Sequence, residues 1–230
     1  MRRTSMRRVL IPAAALVLTT SLAATANAEE SAADAAPEEV SSEQIATEET
    51  ADSVVEGPSM SAEEVASEDK LDALPEVSDD ASAPPRCDYP YKKWYKITSK
   101  KNYHVPSRWN GTTFKDGPGG TMKVKVEKSG KIGVELSGSV EASTNAIIAK
   151  SKVTFGVKVV GEVGVTVGHE YSHDIPARKY GHLQYGSWGY NVKWTKYATS
   201  ADRCGKVKLG SGSAKLPTKS TGWRYWSTSS

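Results

Sequence analysis

The 230-residue chain carries 30 Lys and Arg against 27 Asp and Glu, a formal charge of only +3, and is 38% hydrophobic with 8% aromatic residues. The near-neutral total hides a division: residues 29–86 hold 18 acids against one Lys and one Arg, while residues 87–230 hold 24 Lys and Arg against 9 acids. A basic body on an acidic arm points to binding more than to chemistry.

Residues 1–28 read as a signal peptide. Arg2, Arg3, Arg7 and Arg8 form its charged start, Val9 to Leu22 its apolar core, and Ala26-Asn27-Ala28 an A-x-A cleavage site. The expected location is therefore extracellular. No other apolar run approaches the ~20 residues of a membrane-spanning helix. In an oxidising compartment Cys87 and Cys204 are expected to form a single disulfide, which closes a loop long enough to contribute about 4–5 kcal/mol.

Residues 29–86 contain no aromatic and few large aliphatics. Such a composition buries too little apolar surface to offset chain entropy, and a disordered acidic arm is expected. Within it, Met60 to Leu74 places Val65, Leu71 and Leu74 at loosely helical spacing, so this stretch is either a solvated linker or a segment that folds on a partner. Pro84-Pro85 forms a stiff spacer before Cys87.

The basic segment 87–230 has the size of one domain and a strand-favouring content of Val, Thr, Trp and Tyr. From Met122 to Ala142 the even positions are apolar or small, except Lys128. From Val153 to Val167, and on through His169, Tyr171 and His173, the odd positions take over. Period two over about twenty residues predicts two very long strands, each able to reach ~65 Å, bent at their glycines. Between them, Ser143 to Lys152 breaks the alternation. It forms either the turn of a long amphipathic hairpin over 122–173, with Ile147 and Ile148 as an apolar tip for membrane or partner, or a helix over Val140 to Lys152. Asp174-Ile175-Pro176 then makes a turn into an aromatic-faced strand from Tyr180 to Tyr197. Tyr89 to Trp109 and Trp223 to Trp226 supply further strands, and turns are expected at Asp116 to Gly120 and Leu209 to Pro217. The expected fold is thus mainly β: a single elongated domain with a long hairpin, preceded by the disordered arm.

His169-Glu170-Tyr171-Ser172-His173 satisfies the H-E-x-x-H pattern of zinc proteases, with Glu170 in the place of the general base. That chemistry needs a helix, which brings residues i and i+4 to one ion. Here the motif continues a strand alternation and is ended by Pro176, and four residues along a strand separate the histidines by ~13 Å. His104 and His182 are conceivable partners from elsewhere, but neither has an acidic neighbour to support it. The reading adopted is non-enzymatic, with no metal and no cofactor. Aromatics interleave with lysines in Tyr91-Lys92-Lys93-Trp94-Tyr95-Lys96, and Trp94, Trp188 and Trp194 are the candidate ligand-stacking residues, against the alternative that strand aromatics pack inward.

The alternating segment 122–173, with its apolar tip and a Pro turn into an aromatic strand, resembles the insertion region of aerolysin-type pore-forming toxins. That resemblance implies oligomers that pool hairpins into a lipid-facing barrel. The whole layout, with Trp109-Asn110-Gly111 and Tyr185-Gly186-Ser187-Trp188-Gly189 in a disulfide-closed β domain, is similar to small secreted proteins of filamentous bacteria, including the bridging subunit of umbrella toxin particles. This second resemblance implies an adaptor that joins other secreted proteins in a hetero-oligomeric antibacterial complex. The expected partners are those proteins, or a cell surface or membrane, and not nucleic acid.

Overall fold

A computed structural model describes residues 45–78 and 84–229. The signal sequence, arm residues 29–44 and residues 79–83 lie outside the described residues. The acidic segment contributes β1 (Glu49–Thr50), β2 (Ser53–Val55) and α1 (Ala62–Asp72). The body follows with β3 (Lys93–Pro106), β4 (Thr113–Asp116), β5 (Gly120–Lys125), β6 (Gly130–Gly133), β7 (Glu135–Gly138) and α2 (Thr144–Phe155). It ends with β8 (Glu162–Val165), β9 (Glu170–Ile175), β10 (Tyr180–Thr199), β11 (Lys206–Leu216) and β12 (Ser220–Thr228). The mainly β expectation holds. Leu209–Pro217, expected as a turn, is instead mostly strand β11.

The twenty-residue β10 organises the main sheet. Along one side it pairs with β12 through Tyr180–Ser187 and then with β11 through Tyr190–Thr199. Along the other it pairs with β4 and then β3. Alternate residues of a strand face opposite sides of its sheet. In the first half of β10 the odd residues Leu183 and Tyr185 are buried, with Val105, Trp223 and Tyr225 beside them. In the second half the even residues Val192 and Trp194 are buried, with Tyr95, Ile97, Ala214 and Leu216. The two large cores therefore lie on opposite faces of one sheet. Gly138 belongs to the second: a Cβ there would lie 2.5 Å from the Trp194 indole.

The first core is closed by the alternating segment, but not as one long hairpin. β5 pairs with β9 (Met122↔His173, Val124↔Tyr171) and β6 with β8 (Gly130↔Val165, Ile132↔Val163). Between them the Val126 amide donates to the His169 carbonyl at 3.1 Å and the Gly168 amide to the Val126 carbonyl at 2.9 Å. The register is thus continuous across both ladders, as the alternation predicts. After Gly133 the strands part: β7 leaves to pair with β11 (Leu136↔Ala214), and the chain enters α2.

Ile147 and Ile148 are consequently not an exposed tip. Both lie on α2 at 0% and 1% exposure, within the second core. Ser143 caps this helix by accepting from the Ala146 amide at 3.3 Å, and Gly156 ends it at φ 62°. Ala146, Ala149 and Lys150 favour helix, and the pair of isoleucines gains more by covering Trp194 and Val192 than by facing water.

The expectation of a disordered arm over 29–86 is corrected for residues 45–78. On the odd face of the far half of β10, Tyr197 and its cross-strand partner Trp94 would lie bare without α1. Leu71 and Leu74 of α1 and its C-terminal end cover them, at 1% and 8% exposure. Composition alone underestimated this segment, because its apolar surface is small but is provided with a prepared aromatic floor. Cys87 and Cys204 form the expected disulfide, with Cα atoms 5.1 Å apart.

Candidate functional site

The acidic segment lies on the body as an added strand, a second added strand and a capped helix. β1 extends the free edge of β12 (Glu49↔Thr221, Thr50↔Ser220), and the Ala46 and Thr47 amides donate to the Trp223 carbonyl at 3.0 and 3.1 Å. The approach requires a glycine on the body side: Gly222 has φ 152°, and a Cβ there would stand 2.4 Å from the Thr47 carbonyl oxygen. The Trp188 indole N–H donates to that same carbonyl at 3.0 Å. β2 then adds to the edge of β8, with Val54 opposite Val163. Such additions to open edges are how β domains commonly take up polypeptides.

Ion pairs follow the strands. His169 lies between the Glu49 carboxylate at Nδ1 and the Asp52 carboxylate at Nε2, the latter at 2.9 Å. Burial opposes the charged imidazole, but the hydrogen bonds it donates to Asp52 and Glu49 outweigh it and hold His169 above its ordinary value. Burial likewise pushes Asp52 up, and the Thr166 amide together with His169 outweighs it, leaving the carboxyl below its usual range. Glu56 takes Lys219 at 2.8 Å and Lys152 at 4.0 Å.

The helix is fixed at both ends. Ser61 and Glu64 form a reciprocal capping box, the Ser61 amide donating to Glu64 at 2.8 Å and the Glu64 amide to the Ser61 hydroxyl at 3.2 Å. Glu68 reaches Lys150 at 3.1 Å and Lys92 at 3.7 Å, and Lys150 is 5% exposed. At the C-terminal end the Trp94 indole donates to Asp72 at 2.6 Å, and the Lys206 ammonium donates to the Asp72 carbonyl. Beyond the helix, the Lys206 amide donates to the Pro75 carbonyl at 2.8 Å and the Tyr197 hydroxyl to Glu76 at 3.3 Å. Recesses border the segment. One of 260 Å³ involves Ile45, Glu48, Tyr103, Trp188 and Tyr190; one of 340 Å³ separates α1 from α2; and one of 400 Å³ is edged by Glu56, Lys152, Lys158 and Lys219.

The residues singled out in the sequence separate into two groups. Trp94 and Trp194, each 1% exposed, are core residues and present no face to a ligand. Trp94 stacks on Tyr197, and Trp194 meets Tyr95 edge-on. Trp188 is half-buried, packed on His104 at a ring distance of 4.4 Å, and lines the first recess. Burial pushes His104 down to about 4, so it is neutral. The H-E-x-x-H motif spans the start of β9, so it is extended. His173 packs against Tyr225 with ring centroids 3.8 Å apart, while both nitrogens of His169 are taken by the acidic segment. Among the described residues no cluster of His, Cys, Asp and Glu has metal-holding geometry, and no helix is long and apolar enough to cross a membrane.

Sequence reasoning missed Glu49, Asp52, Glu56, Glu68 and Asp72 as contact residues. A signal existed for the helical part, in the Ser61–Glu64 capping box followed by Leu71 and Leu74. No protein-family model matches the chain, and no curated protein is significantly similar to it. Fold and site together define a mainly β, disulfide-closed protein whose basic body is bound by its own acidic segment.

Proposed function

We propose that the chain is a secreted, non-enzymatic binding protein that acts as an adaptor among other secreted proteins, as a bridging subunit of an extracellular antibacterial toxin complex would. The observation that carries this reading is the mode of attachment of residues 45–78. A polypeptide is held on the body by strand addition at two edges, by a capped helix on an aromatic floor and by ion pairs to His169, Lys150 and Lys219. A surface built in this way is suited to recognising protein chains. The signal-like start of the sequence and the Cys87–Cys204 disulfide support an oxidising, extracellular setting. The test is purification of the native protein from culture medium: an adaptor co-purifies with defined secreted partners in fixed stoichiometry, and recovery of the chain alone argues against the reading.

A second reading, membrane insertion by the 122–173 segment, is favoured by one observation. The β5/β9 and β6/β8 ladders share one register, and among the described residues neither pairs by a strand ladder with the main sheet. Release of dye from liposomes by the purified protein would support insertion, and intact liposomes support the adaptor. The protease alternative predicts one zinc per chain that is lost on His173→Ala.

A further inference from the structure

The two large cores are closed without a buried residue of the acidic segment. Every buried residue of the two large cores falls between Val105 and Tyr225 or between Tyr95 and Leu216, and segment residues reach the first core only as partly buried neighbours. β12 keeps its ladder to β10 and β8 its ladder to β6 when β1 and β2 are removed. The disulfide also closes within the body. The segment, in turn, has a small apolar share. Leu71 and Leu74 are its buried hydrophobics, while Ile45, Val55 and Val77 are 45%, 57% and 40% exposed. Its two strands are two and three residues long. What holds it is mainly edge hydrogen bonding and charge, the interactions most readily exchanged in water.

From this asymmetry, and resting on the adaptor reading, we infer that the groove beneath residues 45–78 is the body's partner site. The partner is an acidic segment of another protein, extended at first and then helical with a leucine pair, for which the chain's own segment is the resident competitor. The groove specifies that chemistry. Gly222 admits a close backbone, the β12 and β8 edges accept extended chain, and His169, Lys219 and Lys150 require carboxylates in that order. Trp94 and Tyr197 take the two leucines. An occupant of opposite charge would leave Lys150 buried without a partner, which is strongly unfavourable.

The test uses the full chain and a fluorescent peptide of the sequence of residues 45–78, with a scrambled peptide of equal composition as control. The triple substitution Glu49→Gln, Asp52→Asn, Glu68→Gln loosens the resident segment without altering the groove. The inference predicts that this variant binds the peptide at least tenfold more tightly than the wild type, and that the scrambled peptide does not bind. Equal binding of both peptides, or none by a variant whose circular dichroism is unchanged, overturns it. Amide hydrogen exchange of the wild type provides a check without mutation: residues 45–78 should open at least tenfold more readily than β10, and a single opening of segment and body together overturns the inference. A variant that dimerises and excludes the peptide gives the groove to a second copy, against the partner named here. If a partner recovered from medium binds wild type and variant equally, the adaptor reading stands and its docking site lies elsewhere.

Discussion

Glu68→Gln tests the attachment of the helix most directly. The substitution keeps the side chain's shape but leaves Lys150, 5% exposed, with only Asp69 at 3.9 Å, itself largely in solvent. Removing one partner of a buried ion pair costs roughly 3–5 kcal/mol, and the residual exposure of Glu68 and the nearness of Asp69 lower the expectation to about 2–4 kcal/mol. When α1 departs, Lys150 regains water, so the cost falls on docking and not on the body. Amide exchange of α1 should therefore quicken by about 30-fold or more, while β10 remains protected. Replacing both residues, as Glu68→Met with Lys150→Met, removes the uncompensated charge and should restore protection to within about tenfold of the wild type. Unchanged α1 exchange in Glu68→Gln, or a double variant as labile as the single one, would rule out a buried Glu68–Lys150 pair as the fastening of the helix.

The clasp at His169 should make segment release pH-dependent. The raised imidazole contributes fully below its ordinary value of 6.5 and is lost as pH rises through its higher folded value; Asp52, held low, contributes above its ordinary 3.8 and is lost only as pH falls through its lower folded value. Protection of β1 and β2, taken as exchange corrected for its intrinsic rise with pH, should thus be greatest in the mildly acidic range and fall as pH rises through the folded value of His169, and His169→Gln should remove that fall. Reduction of Cys87–Cys204, 117 residues apart, should lower the urea stability of the body by about 4–5 kcal/mol; a midpoint that does not move would refute this. Ile147→Asp or Ile148→Asp should abolish folding, seen as loss of soluble protein, since each places a carboxylate at a position of 1% exposure or less. Folded variants with a changed surface activity would instead favour an exposed tip.

Much of the body was legible in the sequence because period-two patterning is strong where one face is buried. The alternation anticipated that 122–133 would pair with 162–173, though not the helix that takes up Val153 and Phe155, and the Trp188–Trp194 alternation located β10. What it missed came from a change of covered face. Tyr185 and Trp194 are both buried although they lie on opposite sides of one strand, and no local pattern announces which neighbour will cover which side. The same limit misplaced Trp94, whose covering residues Leu71 and Leu74 come from a segment whose composition argues against order. Ile147 and Ile148 were ambiguous for a simpler reason, as a short apolar pair reads alike in a turn or on a helix.

The position of β10 also governs when the molecule can form. Among the described residues β3 and β4 pair only with β10, and β11 and β12 follow β10 in the chain. Until β11 and β12 have emerged, neither large core can be closed. Such late, non-local pairing makes for slow folding. Under the export proposed above, that delay keeps the main sheet unmade while the chain passes through a narrow channel.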